Sequence, residues 1–448
     1  MTDTEQQVLA VVGAGYVGLV SAVGLAELGH EVHCIEANPD RLAMLQRGEV
    51  PFFEPGLEDG LRQHRHLLYF SSGYEAALQA CQLFFVAVGT PTSATGEADL
   101  RAVWSVIDGI PLTTGQAVVM KSTVPPGTGV ECRRRLDARG LDGVLYVSNP
   151  EFLSESTGLS DFRNPDKVVI GDDATWAGDL VAELYAPLLP ADRFVRTDVT
   201  TAETLKLAGN AFLAAKISFV NEIANLCDAA GADVTAVARA IGLDPRIGPL
   251  FLRPGIGFGG SCFGKDLKSL AHESRRLGST AHMVDAVLAV NDRQWERVLD
   301  KLTQHFGRRS DLTVALLGFA FKPGTSNVRD ANSIPLLAGL VAAGIAVRAY
   351  DPEATRDILL RDTELGEPTL AEVRFCESAL DCVEGADAAV LVTEWPEILA
   401  LDWAEVGHAM AGTLVIDGRN AMDRSTIAAA GLTYDGIGRP ALDVTLPH

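Results

Sequence analysis

The feature that most limits how this chain can fold is a five-residue apolar run, Val8-Leu-Ala-Val-Val12, that opens directly into Gly13-Ala14-Gly15-Tyr16-Val17-Gly18. An unbroken apolar run of this length suits a strand buried on both faces of a parallel sheet. The three glycines allow a tight turn, close approach to a pyrophosphate, and packing of a helix on the strand. The helix N-terminus then faces the negative charge. A helical stretch follows to Leu28 and stops at Gly29-His30, and a second strand, Glu31-Val-His-Cys-Ile-Glu36, ends in a carboxylate 18 residues past Gly18. A carboxylate there can accept the ribose hydroxyls of NAD and would repel the extra phosphate of NADP. A glycine turn without a ligand is the weaker reading, because strand, helix and acidic residue all stand where the pattern needs them.

Further strand candidates are Leu83–Val88, Ala117–Lys121, Val144–Ser148 and Lys167–Ile170, with helical segments between most of them. This alternation predicts an N-terminal Rossmann-type, doubly wound α/β domain over 1–199. From Thr201 the pattern changes to long helices: Ala202–Gly231, 234–241 and most of 265–306, interrupted by the glycine-rich stretch 254–264. We expect 200–307 to be a central helical region for dimerisation and catalysis. Strand candidates at Leu312–Gly318, Ala346–Tyr350, Ala388–Val392 and Thr413–Asp417 predict a smaller, C-terminal Rossmann-like α/β domain over 308–448, without its own GxGxxG.

The 448 residues carry 37 basic and 59 acidic side chains, so the net charge is 37 − 59 = −22. Phosphate backbones and anionic membrane surfaces would repel such a chain, so neither nucleic acid nor a membrane is an expected partner. The seven cysteines include no CxxC pair and no cluster of zinc spacing, which indicates neither a disulfide framework nor a metal site. With a polar, acidic start unlike a signal peptide, this fits the cytoplasm.

Four constellations could carry chemistry. The glycine loop with Glu36 is the first. The second lies just past later strands: Gly89-Thr90-Pro91-Thr92, Ser122-Thr123-Val124-Pro-Pro-Gly127 and Asn149-Pro-Glu151-Phe152. Open α/β sheets bind ligands at that edge, so Thr123 and Glu151 face the same crevice as the glycine loop. Taken singly, each segment is ordinary turn chemistry. The third is Lys206 and Asn210, four apart on one helical face, where an ammonium and an amide could stabilise an alkoxide. Alone, they would read as a solvated lysine and a polar helix residue. The fourth is Pro254 to Asp266, in which four glycines precede Cys262 and a lysine and aspartate open a helix. Thiolate is the reactive form of cysteine, and a helix N-terminus and a lysine favour it. A small buried cysteine is the alternative, and it fits Cys34, Cys81, Cys132 and Cys227 better.

With these motifs in order (GAGYVG, VGTPT, KSTVPPGT, NPEFL, KLAGNAFLAAKISFVNE, GFGGSCFGKD and GFAFKPGTSNVRD), the chain resembles the UDP-glucose/GDP-mannose dehydrogenase family over nearly its whole length. It is most similar to the UDP-glucose 6-dehydrogenase branch. The resemblance implies a four-electron oxidation of a sugar-nucleotide C6 alcohol to a carboxylate, with two NAD molecules reduced in succession. Cys262 matches the cysteine that captures the aldehyde and passes through a thioester. Lys206 and Asn210 match the oxyanion positions. Asp266 and Thr123 match residues that hold a water and aid proton transfer, and Glu151 the carboxylate of the later steps. The cofactor contacts carried over are Gly13 to Gly18, Glu36, Arg41, Gly89 to Pro91, Ser122 to Val124, Glu155, Lys265 and Arg329. The sugar-nucleotide contacts are Phe152, Leu153, Ser154, Glu155, Lys206, Asn210, Arg246, the loop from Arg253 through Gly257, Phe258 and Gly259, Phe321, Lys322 and Arg419. The resemblance also implies a homodimer through the central helix, with Arg246 reaching the partner's substrate.

Departures from the family pattern are Glu36 for aspartate, Gly264 for proline, Ser154 for arginine and Ser326-Asn327 at an often acidic position. None touches Cys262 or the Lys206/Asn210 pair, but they bear on base and sugar. UDP-glucose is favoured, with TDP-glucose or GDP-mannose as alternatives. A two-electron β-hydroxyacid dehydrogenase would share the fold and the Lys/Asn pair but needs no cysteine. A non-catalytic NAD-binding protein would be expected to lose part of the set Thr123, Glu151, Lys206, Asn210, Cys262 and Asp266.

Overall fold

A computed structural model describes residues 5–309 and 311–442. The first four residues of the polar start therefore lie outside the described residues. The chain divides into two compact units, Met1–Gly209 with Lys268–Thr280, and Asn210–Leu267 with Ala281–His448.

The first unit is built on eight strands: β1 (Val8–Val12), β2 (Glu31–Ile35), β3 (Leu68–Ser71), β4 (Leu83–Val86), β5 (Ala117–Met120), β6 (Leu145–Ser148), β7 (Val168–Gly171) and β8 (Phe194–Thr197). Their order is β3-β2-β1-β4-β5-β6-β7-β8, so the chain reverses direction across the sheet between β1 and β4. Alternate residues feed two cores. Leu9, Val11, Phe85 and Val119 pack on one face, and Ala10, Val12, Phe84, Val86, Val118 and Met120 on the other. Each of these side chains larger than alanine contributes about 1.5–3 kcal/mol when fully buried, which is why these strands read as unbroken apolar runs.

Three features depart from the expected sheet. The β3 and β8 strands were not foreseen: β3 alternates buried and exposed residues and β8 has no fully buried residue, so no continuous apolar run marks either. The β6–β7 pair is antiparallel. A parallel neighbour needs a crossover, whereas here the chain stays at the C-terminal edge of β6, forms the short helix Gly158–Arg163 and re-enters the sheet from the same side. That edge carries the 149–157 segment of candidate site residues.

The long helix, Val199–Ala230, begins three residues before the expected Ala202. Asp198 caps it by accepting from the Thr201 backbone N–H at 2.8 Å. It ends at Gly231, whose positive φ of 69° lets the Ala232 N–H return to the Cys227 carbonyl.

The second unit contains the rest of that helix, the helices Val234–Gly242, His282–Gln294 and Glu296–Phe306, and the start of Phe263–Arg276. Its sheet consists of β9 (Thr313–Leu317), β10 (Ala346–Tyr350), β11 (Val373–Phe375), β12 (Ala388–Leu391), β13 (Leu414–Asp417), β14 (Thr433–Gly436) and β15 (Arg439–Leu442), in the order β11-β10-β9-β12-β13-β14-β15. Among the described strands of this sheet, only β15 runs antiparallel. Among the described residues no helix is long and apolar enough to cross a membrane.

Candidate active site

In the first unit the glycine loop takes the expected form. Gly13 has φ +95°, and a side chain there would meet the Ala87 carbonyl oxygen at 2.8 Å. A Cβ on Gly18 would lie 1.8 Å from the Gly13 carbonyl oxygen, so helix and turn pack with no room for one. Gly15 caps the helix Tyr16–Glu27 without a side-chain bond, and nothing lies within 4 Å of where its Cβ would be. The open first-turn N–H groups and this clear approach fit a pyrophosphate.

Glu36 stands past β2 as read, but its carboxylate is already engaged. Oε2 accepts from the Ala14 N–H at 3.0 Å and from Arg41 Nη1 at 3.2 Å, while Oε1 accepts from the Asn38 N–H at 2.7 Å. With about four acceptor positions on a carboxylate, room remains for a ribose hydroxyl, and the loop and its acidic partner form one hydrogen-bonded piece. The turns after β4 and β5 are joined in the same way: Thr90 Oγ1 donates to the Thr123 carbonyl at 2.8 Å, and Ser122 Oγ to the Val88 carbonyl at 2.7 Å.

The catalytic candidates fall into two groups. In the first unit Lys206 and Glu151, both buried, form an ion pair at 3.3 Å, and the Lys206 ammonium stands 5.2 Å from the centre of the Phe152 ring. Glu151 also accepts from the Leu153 N–H, which fixes the start of the 152–155 segment. In the second unit buried Asp266 takes a hydrogen bond from Asn210 Nδ2 at 2.6 Å on one oxygen and an ion pair from Lys265 Nζ at 2.6 Å on the other. Cys262 is exposed and directly precedes the helix Phe263–Arg276, its carbonyl accepting from the Asp266 N–H at 2.9 Å. Lys206 and Asn210 lie one turn apart on the long helix, but each has its own carboxylate. The other four cysteines read as core, Cys34, Cys81, Cys132 and Cys227, are buried.

The glycine-rich stretch 254–260 is a held loop. Asn221 accepts from the Gly255 N–H, Gln294 donates to the Gly255 carbonyl, and Asn291 bonds both backbone groups of Phe258. The Asn332 amide joins at the Phe258 carbonyl, and Gly260 donates to the Arg329 carbonyl. Two of the expected sugar-nucleotide cations, Arg253 and Arg419, share one carboxylate, Glu394, at 3.2 and 2.8 Å, and Arg419 also donates to the Gly257 carbonyl. Burial opposes ionisation of Glu394, but the two guanidiniums prevail and hold it below the usual carboxylate range. Lys322 stands 5.4 Å from the centre of the Phe321 ring in the loop after β9. The Arg329 side chain is tied to Asn327 beside it. Arg246 is not brought to this group. It is exposed on the turn after Val234–Gly242 and pairs with Asp244 at 2.6 Å.

Asn221, Asn291, Gln294, Asn332 and Glu394 escaped the sequence reading. Each sits singly in an otherwise ordinary helix or turn, and its partner is remote in sequence. Glu54, whose partners Tyr16, Ser156 and Leu159 are also remote in sequence, escaped for the same reason.

A dinucleotide fold with buried lysine–carboxylate and amide–carboxylate pairs, plus an exposed thiol at a helix start, defines the class: a nicotinamide-dependent dehydrogenase. The comparisons narrow it. Residues 7–189 match the NAD binding domain of the UDP-glucose/GDP-mannose dehydrogenase family, 200–293 its central domain and 315–424 its UDP binding domain. A UDP-glucose 6-dehydrogenase of Pseudomonas aeruginosa is 43% identical over 96% of this chain and 97% of that protein. One of Rhizobium meliloti is 39% identical over 96% and 99%. A UDP-glucose dehydrogenase structure from Pyrobaculum islandicum superposes with a TM-score of 0.87, at 33% identity, over 98% of this chain and 99% of that one. The chain belongs to the UDP-glucose/GDP-mannose dehydrogenase family.

Proposed function

We propose that this protein oxidises UDP-glucose to UDP-glucuronate, one sugar nucleotide with two NAD and one water giving carboxylate, two NADH and three protons. NAD accepts a hydride in each of the two oxidations. The protein's own groups do the rest. Lys206 and Asn210 stabilise oxygen charge developing at C6. The Cys262 thiolate adds to the aldehyde carbon, so that loss of the second hydride leaves a thioester. Water, held by Asp266 and Thr123 and activated by Glu151, releases the carboxylate and returns the thiol. Covalent capture keeps the aldehyde from escaping between the two oxidations.

The observation that carries this reading is the exposed Cys262 at the start of a helix whose first turn holds a buried Asp266 bound to Asn210 and Lys265. A two-electron dehydrogenase has no use for that thiol. The residues 1–199, 200–307 and 308–448 serve as cofactor, helical and nucleotide-sugar regions, with Arg253, Lys322 and Arg419 meeting the diphosphate. Glu155, Lys265 and Arg329 complete the cofactor contacts.

The test is stoichiometric. Wild-type enzyme must form two NADH per UDP-glucose consumed, and Cys262→Ser must lose turnover to the acid, because a hydroxyl is too weakly acidic to attack at neutral pH. Four-electron turnover by the serine variant would falsify the covalent role. TDP-glucose and GDP-mannose in the same assay report whether the base and sugar are read correctly.

A homodimer belongs to the same reading. Phe212, Phe219 and Leu226 recur every seven residues on the long helix and are 69, 53 and 62% exposed, an apolar stripe that a second copy would cover. Arg246, free of its own unit's site, would then serve the partner. Sedimentation as a single chain at assay concentration would overturn this.

A further inference from the structure

Glu54 is a buried carboxylate that no part of the reaction above employs. It lies in Pro51-Phe-Phe-Glu-Pro55, where the following proline disfavours helical backbone. Three donors from two distant segments converge on it. Oε2 accepts from the Tyr16 hydroxyl at 2.7 Å and from the Ser156 N–H at 2.8 Å, and Oε1 accepts from the Leu159 N–H at 3.3 Å. Tyr16 belongs to the glycine loop, whereas Ser156 and Leu159 belong to the segment that follows Phe152–Glu155. The Tyr16 oxygen also lies 3.1 Å from the Ser154 carbonyl, and its ring packs 5.3 Å from that of Phe52. Ser156 has φ +69°, a backbone state that a serine adopts at a cost. The bond to Glu54 offsets that cost.

We propose that Glu54 is a positioning residue that locks segment 153–159 to the glycine loop, so that one carboxylate sets both the cofactor-side and the sugar-side contacts. This rests on the reading that residues 13–18 hold the cofactor and 152–155 the sugar nucleotide. It adds a linkage: binding at the glycine loop is transmitted to 153–159 through Tyr16 and Glu54. An isosteric amide cannot replace the carboxylate. Turned one way it loses Leu159, turned the other it loses Tyr16 and Ser156, and in each case an N–H faces an N–H.

The test is hydrogen exchange of the 153–159 amides with and without NADH, together with calorimetric titration of NADH and UDP-glucose, on the full chain well below its thermal midpoint. In the wild type NADH should slow exchange across 153–159. Glu54→Gln should abolish that response and weaken both ligands, each roughly tenfold, as expected for a lost charged hydrogen bond. Tyr16→Phe, which leaves Glu54 buried among its other donors, should also blunt the response, and should cost little further in the Glu54→Gln background. If Glu54→Gln does not fold, Tyr16→Phe decides alone. A lowered thermal midpoint with both dissociation constants and the NADH response unchanged would make Glu54 a structural carboxylate only, and weakening of one ligand alone would break the linkage. A wild type that fails to oxidise UDP-glucose sinks the reaction assigned above, while the exchange response to NADH still judges Glu54.

Discussion

The first strands of the two sheets end in the same turn, and the turns then diverge. Gly13 follows β1 with φ +95° and Gly318 follows β9 with φ +100°. Each donates its N–H to the last residue of the neighbouring strand, Ile35 at 2.8 Å and Tyr350 at 2.7 Å. In each case a carboxylate just past that neighbour takes the next N–H groups. Glu36 accepts from Ala14, and Asp351 accepts from Phe319 at 2.6 Å and Ala320 at 3.0 Å. Beyond this point the first turn enters a helix at Tyr16, three residues on. The second runs 15 residues, past Lys322, before its helix starts at Ser333. On the function proposed above, the first unit meets a pyrophosphate with backbone N–H groups and a helix dipole, and the second meets one with side-chain cations. That proposal gives one turn geometry two ways of binding phosphate.

If the first unit binds with backbone, its buried ammonium is available for chemistry, and removing it should strike rate rather than affinity. We expect Lys206→Ala to lose about 3 to 4 kcal/mol of transition-state stabilisation, the usual worth of one oxyanion donor. That is a fall in kcat of several hundredfold with little change in KM for UDP-glucose. Lys322→Ala should do the reverse, raising KM with kcat nearly kept. An unchanged kcat with raised KM in the Lys206 variant would erase the contrast, since both cations would then be binding groups.

The paired glycines allow a sharper dissection. Alanine at either position must adopt a left-handed backbone, costing about 1–2 kcal/mol before any clash, and meets the Ala87 oxygen at 2.8 Å or Thr393 at 2.5 Å. Gly13→Ala should therefore weaken NADH at least tenfold and leave UDP-glucose titrations nearly unchanged. Gly318→Ala should show the opposite pattern. Equal loss of both ligands in the Gly318 variant would mean that the turns do not serve separate ligands, whereas equal loss in the Gly13 variant that disappears in the Glu54→Gln background would trace to the linkage through Tyr16.

The contrast explains what could be read in advance. Buried strands such as β1, β4 and β12 announced themselves as apolar runs, and the first turn as GxGxxG, because Gly13 and Gly18 each answer a local steric demand while Gly15 leaves the approach to the helix N-terminus clear. The second turn shares the geometry but needs only Gly318, so no repeat was visible between Gly13-Ala14-Gly15 and Gly318-Phe-Ala. Short half-exposed strands such as β3 carried no such run. Cys262 and Asp266 stood out as candidates because a thiol among glycines, followed by a lysine and an aspartate at a helix start, is improbable without chemistry, whereas Lys206, ordinary when taken alone, stood out only through the ordered motifs of the resemblance. Their partners were less legible. Nothing near Asn210 in sequence points to Asp266, and nothing near Tyr16 points to Glu54, since those bonds depend on the tertiary fold.

The fifth strand of each sheet extends the comparison to stability. A buried carboxylate takes backbone N–H groups of the turn that follows: Glu203 from Gly127 and Gly129, both at 2.7 Å, after β5, and Asp417 from Arg419 at 3.1 Å and Met422 at 2.8 Å after β13. Burial raises both carboxyls above their ordinary range against those bonds, and Glu203 is pushed up to about 7 from 4.5. A raised carboxyl favours the folded state while it is protonated. Its contribution is therefore complete below the unfolded value near 4.5 and is lost as pH rises through about 7. The shift corresponds to about 3 kcal/mol in all, with a slope of at most about 1.4 kcal/mol per pH unit. Glu203→Gln should lower stability outright, because one amide N–H must face a backbone N–H, but its thermal midpoint should fall less between pH 5 and 7.5 than that of the wild type. The remaining slope in the variant would include the share of Asp417 in the second unit. Parallel curves for the two proteins would show that Glu203 stays ionised across this range, and that its two N–H donors at the start of the helix Thr128–Ala138 outweigh burial.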